Sequence, residues 1–211
     1  MRELNRLLAW LTPGAKWLLA LWVIGGVLRC VPGLGQWLPL VARTVWHGQV
    51  WRLISYTFVP NGPIDFIINA LAFAILSTSL ERRWSCRTLM AYGGFVVLAT
   101  GMTMAAVQPA SPVPWRGAGP LLFGLLAAWG RICGHEKVGL APSLELTGMA
   151  LVMIFGIVSL LVTVFTSGWM NALFAGLWAA WGLVYLWART KFGEATARPI
   201  AVSRRINRLE L

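Results

Sequence analysis

The stretch Gly117-Ala118-Gly119-Pro120-Leu121-Leu122-Phe123-Gly124-Leu125-Leu126 opens a short apolar segment that ends near Arg131. The helix predicted from it is shorter than the roughly 20 residues that usually cross a bilayer. A span this short implies local thinning of the bilayer, burial inside a bundle, or a helix that begins below the membrane surface. The sequence on either side indicates what surrounds it.

The whole chain is too apolar for a soluble domain. Of its 211 residues, 58% are hydrophobic and only 12% are charged, whereas soluble domains carry roughly 25% charged residues. A bilayer accepts this apolar surface because lipid removes the need for a polar exterior. The 13 Trp residues also suit the headgroup region, where the ring is buried and the N–H stays wet. The composition therefore predicts an integral membrane protein.

Apolar runs predict an all-α integral membrane bundle of six helices. Residues 1–16 are predicted to form an amphipathic cytoplasmic N-terminus, 17–190 the membrane domain and 191–211 a basic cytoplasmic tail. Residues 33–62 are apolar but interrupted by Pro and Gly, which predicts an interfacial connection between the first two helices. The predicted spans are about 17–32, 64–80, 88–107, 117–131, 146–166 and 169–187.

Basic residues alternate between the loops in a way that predicts orientation. Arg43, Arg52 and Arg116 fall on one side, with Arg29 near that side, and all other groups of Lys and Arg fall on the other. Because cytoplasmic loops carry the excess of Lys and Arg, both termini are predicted to be cytoplasmic. The net charge of +11 is then explained by these loops, so we predict membrane lipids and not nucleic acid as a partner.

Few residues in the chain favour a metal site, a cofactor or an ion pathway. Cys30, Cys86 and Cys133 are scattered and odd in number, which predicts three free thiols. Asp65 is the one acid inside a predicted span, at its outer end, whereas ion pathways usually need more such groups. We predict no metal and no cofactor.

Three stretches carry a resemblance to a known family. The first is Gly48-Gln49-Val50-Trp51-Arg52-Leu53-Ile54-Ser55-Tyr56-Thr57-Phe58, followed by Asn69 and by Glu81-Arg82-Arg83. The second is the opening stretch, Gly117 to Leu126. The third is a ladder of small residues at Ala172, Ala175, Gly176, Ala179 and Ala180. Their order and spacing resemble the rhomboid intramembrane serine proteases over about residues 15–190.

The resemblance implies where the catalytic groups would be, and this chain lacks them. In the family, Gly-x-Ser-Gly opens the fourth span, and that Ser is the nucleophile; here Gly119 and Pro120 take the place of its Ser and Gly. The base, a His in the sixth span, corresponds to Ala172 or Leu173. Neither Gly119 nor these two residues can form an alkoxide or accept a proton.

The polar helpers in the second span are altered as well. The family often has a His and then an Asn one turn later, which correspond to Asp65 and Asn69. An ionised Asp65 would repel the charge that develops on a tetrahedral intermediate. We expect Asn69 to keep a helix-to-helix hydrogen bond, and we hypothesise that Asp65 pairs with Arg116 across the outer loops.

The retained family positions are Asn69, Trp51, Arg52, Glu81, Gly117 and Gly124. Arg52 is expected to donate hydrogen bonds to backbone carbonyls, although snorkelling beside Trp51 would also explain it. Glu81 either locks the inner end of the second span or belongs to a solvated charge cluster.

These features predict a rhomboid-like pseudoprotease in a bacterial cytoplasmic membrane. Such a protein is expected to bind or regulate transmembrane helices of client proteins without cleaving them. Two alternatives remain open: a divergent intramembrane serine endopeptidase, and a structural subunit of a membrane complex. The oligomeric state is left open.

Overall fold

The protein was analysed as a computed structural model, which describes residues 10–135, 137–141, 144–167 and 169–191. Within these residues, eight helices, one 3₁₀ turn at Tyr56–Phe58 and one β-hairpin occur. The helices are α1 (Pro13–Cys30), α2 (Ala42–Trp46), α3 (Arg52–Ser55), α4 (Pro63–Glu81), α5 (Cys86–Val107), α6 (Gly119–Cys133), α7 (Gly148–Ser167) and α8 (Trp169–Lys191).

Six of these helices coincide with the six apolar runs of the sequence, with bounds that differ by a few residues. The largest shifts, of four residues, are at the start of α1, which begins at Pro13 and not near residue 17, and at the end of α8, which reaches Lys191 and not 187. Proline suits the first helical position because its fixed φ is helical and its missing N–H would have no partner there. Lys16, predicted in the N-terminal segment, therefore belongs to α1. Residues 1–9 of that segment and 192–211 of the predicted tail lie outside the described residues.

One element departs from the all-helical prediction. Lys137–Ala141 (β1) and Leu144–Thr147 (β2) pair as an antiparallel hairpin between α6 and α7. Pro142 lies between the two strands in sequence, and proline interrupts a helix because it lacks an N–H and clashes with the preceding turn. The architecture is otherwise helical.

Two described helices, α4 and α5, are long and apolar enough to cross a membrane. α6 is apolar but shorter, as is the stretch Gly148–Val158 within α7. Many large apolar side chains lie on the outer surface of the bundle, among them Ile64, Ile67 and Leu71 of α4. A water-facing surface of this kind would be unfavourable, whereas lipid accepts it. The protein is a membrane protein.

The short α6 lies at the centre of the bundle, where it packs against α4, α5, α7 and α8. The phenol of Tyr92 in α5 donates a hydrogen bond to the carbonyl oxygen of Gly124. A Cβ added at Gly182 in α8 would meet that phenol and lie 3.3 Å from Gly124 Cα. Small residues thus let three helices approach closely, and the burial inside a bundle that is one of the predicted options for this short span is present.

Glu81 holds α1 against the end of α4. Its carboxylate accepts hydrogen bonds from the backbone N–H groups of Gly14 (3.0 Å) and Ala15 (3.1 Å), and the residue is only 8% exposed. These N–H groups are among those that a helix leaves without an internal partner, and the positive end of the α1 dipole favours the charge. Of the two readings of Glu81, the structural lock is therefore the one observed.

Candidate functional site, a closed rhomboid-type centre

Arg52 organises the interfacial connection between α1 and α4. Its guanidinium donates to the backbone carbonyls of Gln36 (3.1 Å) and Pro39 (2.6 Å), and its Nε donates to Gln49 Oε1 (2.6 Å). The side chain also lies over the Trp37 ring, 6.0 Å from its centroid. Burial lowers the pKa of Arg52 from its usual value. The predicted hydrogen bonds to carbonyls are present, so simple snorkelling does not describe this residue.

The connection is also tied to the strand-like segment that precedes α6. Leu40 and Trp115 exchange two backbone hydrogen bonds of 2.8 Å. Two residues later, Gly117 donates its N–H to the Tyr56 carbonyl (3.1 Å) with φ at +117°. A positive φ of this size favours glycine, because other residues would be strained there. These contacts set the point at which α6 begins, directly below the interfacial segment.

The first residue of α6, Gly119, faces the indole of Trp178 in α8. A Cβ built on Gly119 would lie 3.0 Å from Cη2 of that ring, 3.2 Å from Cε3 and closer still to Cζ3. Carbon atoms that are not bonded prefer separations of about 3.5–4.0 Å. The indole also contacts Phe123, one turn further along α6, with ring centroids 5.8 Å apart. The space that a nucleophile at position 119 would need is therefore filled.

Pro120 follows Gly119 in the first turn of α6. It has no backbone N–H, so it cannot donate to an oxyanion at this helix N-terminus. The backbone of Ala172 and Leu173 lies in α8, but their side chains are outside the described part of the structure. The two histidines of the chain, His47 and His135, are both exposed, and they lie in the segments before α3 and after α6.

Asp65 and Asn69 contact each other at the start of α4. The Asn69 amide donates to Asp65 Oδ1 (2.8 Å), and Asp65 Oδ2 accepts the backbone N–H of Asn61 (2.8 Å). An acid in the first turn also suits the positive end of the helix dipole. The Asn69 amide, the one retained polar group of the family site, is thus directed at a carboxylate.

Two predictions about this pair were wrong. Arg116 does not pair with Asp65; its Nε donates to Asn61 Oδ1 at 3.3 Å, and Asn61 lies between the two charged residues. Asn69 was expected to bond to another helix, but its amide donates to Asp65, four residues away in the same helix. The physical reason is local: residues i and i+4 of a helix are neighbours, so a carboxylate and an amide at that spacing meet without any help from tertiary packing.

Trp178 is the residue of this site that the sequence did not reveal. It interrupts the small-residue ladder of α8, between Gly176 and Ala179. A large ring within a run of Gly and Ala is a signal that the facing surface has room for it. Its indole Nε1 is buried and has no hydrogen-bond partner among the described residues, which indicates that shape and apolar contact place the ring there.

We expect the substitution Gly119→Ser to destabilise the protein by about 2 kcal/mol, because overpacking a fixed ring typically costs 1–3 kcal/mol. The same substitution in a Trp178→Ala background should be nearly neutral, since the opposing ring is gone. Unfolding by SDS in mixed micelles would measure both. Gly94→Ser is the matched control, because nothing lies within 4 Å of a Cβ at Gly94. If Gly119→Ser lowers the free energy of unfolding equally with and without Trp178, the contact between these two residues is contradicted.

Other chemistry has little support in the described residues. Within the described part of the chain, no group of three or more His, Cys, Asp or Glu side chains is arranged to hold a metal ion. Cys30, Cys86 and Cys133 are all free thiols, as the odd count predicted.

Comparison with known families agrees with this geometry. No curated protein sequence matches the chain. A family model described as the Rhomboid domain matches residues 47–190, from the segment before Arg52 to the end of α8. That match covers more than half of the chain, and the chain therefore belongs to the rhomboid family.

Proposed function

We propose that this chain is a rhomboid-like pseudoprotease, which binds or regulates transmembrane segments and does not cleave them. One observation carries the proposal: the Trp178 ring lies where the side chain of a nucleophile at position 119 would have to be. A serine protease needs a nucleophile and a base within hydrogen-bond reach of each other. Here the position is occupied by glycine, and the space is occupied by an indole.

The remaining polar groups of the site support the same conclusion. Asn69 donates to Asp65, so a substrate oxyanion would have to displace a carboxylate that accepts the same N–H. An ionised carboxylate beside that oxyanion would repel it. Losing a single oxyanion donor typically costs about 3–4 kcal/mol of transition-state stabilisation, and a repelling charge adds to that cost.

We further propose six membrane spans, formed by α1, α4, α5, α6, α7 and α8, with both termini in the cytoplasm of a bacterium. The excess of basic residues at one end of the bundle supports this orientation. Arg83, Arg131 and Arg189 lie at that end, while Arg52 and Arg116 lie at the other. The interfacial segment, 33–62, then faces the outside.

The surface of α4 supports the binding half of the proposal. Within the 18-residue apolar stretch of α4, only 22% is buried inside the bundle, against 44% for the corresponding stretch of α5. Its exposed face is a stripe of branched apolar side chains at helical spacing: Ile64, Ile67, Ile68, Leu71 and Ile75. A client helix can pack against such a face through van der Waals contact.

Activity is tested most directly with a fluorophosphonate probe and a generic transmembrane substrate, using purified protein. We expect neither labelling nor cleavage by the wild-type chain. The double variant Gly119→Ser/Leu173→His should give the same result, because Trp178 still fills the space beside position 119. Labelling of the wild-type chain that disappears when one serine is replaced would overturn the proposal in favour of a divergent endopeptidase.

Client binding is tested by photocrosslinking in membranes. A benzoylphenylalanine placed at Ile68 of α4 should capture transmembrane segments, whereas one at Ile24 of α1 should capture few. The two positions are matched, since both are isoleucines in apolar helices, 54% and 53% exposed. Equal crosslinking at both positions would remove the support for α4 as the surface that binds client helices. A single partner captured in a fixed ratio would instead favour a structural subunit.

A further inference from the structure

Asp65 lies at the edge of the lipid-facing surface of α4. It belongs to the first turn of that helix, one residue after Ile64 and three before Ile68, which are 74% and 54% exposed. Asp65 itself is half-buried. Residues three apart are neighbours on a helix surface, so the carboxylate borders the apolar stripe to which client helices are proposed to bind. A helix that packs along this stripe would pass close to Asp65 at its outer end, where α4 begins.

The carboxylate of Asp65 has no cationic partner among the described residues. Its two oxygens accept hydrogen bonds from the Asn69 amide and from the backbone N–H of Asn61, and both donors are neutral. Arg29 and Arg116 approach the loop before α4, but they donate to a backbone carbonyl and to the amide oxygen of Asn61. An ionised carboxylate offers about four acceptor positions, so about two are left for further donors.

The local fold does not require a negative charge at this position. The bond from the Asn61 N–H to Asp65 closes the turn that precedes α4, and the side-chain oxygen of an asparagine would accept the same N–H. A charged group at membrane depth is costly, and such groups are usually paired or mark a functional site. The charge of Asp65 is therefore the feature for which a partner is to be sought.

We propose that Asp65 selects client helices that carry a lysine or an arginine at their outer end. The inference rests on the proposed binding of client helices to α4, and it names their class. The basic side chain donates to the Asp65 carboxylate while the apolar part of the client packs against the stripe. Water is scarce at this boundary, which strengthens the attraction between opposite charges. Since Lys and Arg beside membrane spans are concentrated on the cytoplasmic side, a basic residue at the outer end distinguishes a client from most other helices.

The preference is tested by photocrosslinking in bacterial membranes, with the full chain and three single-span model clients. The clients are leucine helices with the same cytoplasmic flank, and they differ only in one residue at the outer end, which is Lys, Gln or Glu. Benzoylphenylalanine is placed at Leu71 of the stripe, which is 62% exposed, and at Val27 of α1, which is 60% exposed and serves as the reference. At Leu71 we expect about fivefold more capture of the Lys client than of the Gln client, and least capture of the Glu client.

Three variants separate the charge of Asp65 from the rest of the surface. Asp65→Asn keeps an oxygen for the Asn61 N–H, and it should capture the Lys and Gln clients equally. Its capture of the Gln client should equal that of the wild-type chain, which shows that the surface is still folded. Asp65→Lys should favour the Glu client. Glu145→Gln is the control, because it removes an acid from β2 and should leave the preference for the Lys client unchanged.

The outcomes distinguish this inference from the proposed function on which it rests. If the wild-type chain captures the Lys and Gln clients equally, and more of both at Leu71 than at Val27, client binding to α4 stands and selection by Asp65 is overturned. A preference for the Lys client that persists in Asp65→Asn overturns the selection as well. If no client is captured more at Leu71 than at Val27, the proposed binding surface on α4 fails, and the inference fails with it.

Discussion

Replacing Arg52 with alanine should lower the free energy of unfolding by about 4 kcal/mol. The side chain is only 5% exposed and makes three hydrogen bonds, two of them to the carbonyls of Gln36 and Pro39. Hydrogen bonds to charged groups are worth about 1.5–3 kcal/mol each, and a buried carbonyl left without a donor adds its own penalty. Unfolding by SDS in mixed micelles would measure the loss.

Two further variants separate the geometry of Arg52 from its charge. Arg52→Lys keeps the charge but loses the planar fork, so it should recover less than half of the stability. Arg116→Ala removes an exposed arginine with one long hydrogen bond to Asn61 (3.3 Å), and it should cost less than about 1 kcal/mol. An Arg52→Ala protein as stable as Arg116→Ala would show that the interfacial segment does not depend on these bonds.

The second large effect is expected for Gly25→Ala in α1. A Cβ at this position would lie 2.8 Å from the carbonyl carbon of Phe58 and closer still to its oxygen. Phe58 belongs to the 3₁₀ turn of the interfacial segment, and backbone cannot move aside as a flexible side chain can. We expect a loss of about 3 kcal/mol, at the upper end of the usual cost of overpacking.

Gly94→Ala is the control for this prediction. Gly94 is also inside a membrane helix, but a Cβ there meets nothing within 4 Å. Alanine should stabilise that helix by about 0.5–1 kcal/mol, because glycine loses more conformational freedom on folding. If both substitutions have the same sign and size in mixed micelles, the close approach of α1 to the interfacial segment is contradicted.

Arg52 and Gly25 both keep the interfacial segment in place above α6. Trp178 meanwhile lies against Gly119. Under the proposed function, contacts that serve folding are kept and groups that serve only the reaction are not. This difference is what supports a binding or regulatory role for the scaffold.

Much of the fold could be predicted from the sequence, because hydrophobicity and helix-breaking residues act locally. The apolar runs placed α4 and α5 to within two residues. The hydrogen bonds of Arg52 were predicted because the residues that flank it also fit the rhomboid family. The proposed absence of a nucleophile and a base rests on residue types alone, Gly119 and Ala172 or Leu173. The hairpin was not predicted, because the sequence indicated only a connection between the fourth and fifth spans, with the fifth span beginning at about residue 146.

The sequence by itself determined that this is an apolar helical membrane protein without a nucleophile at Gly119, since composition and residue identity require no knowledge of packing. Only the tertiary structure decided which side chain faces Gly119, whether Glu81 is solvated or caps α1, and which partner Asp65 contacts. The reason is geometric. Which residue of α8 faces α6 depends on the rotation and axial position of two packed helices, and among the described side chains it is Trp178 that lies against Gly119.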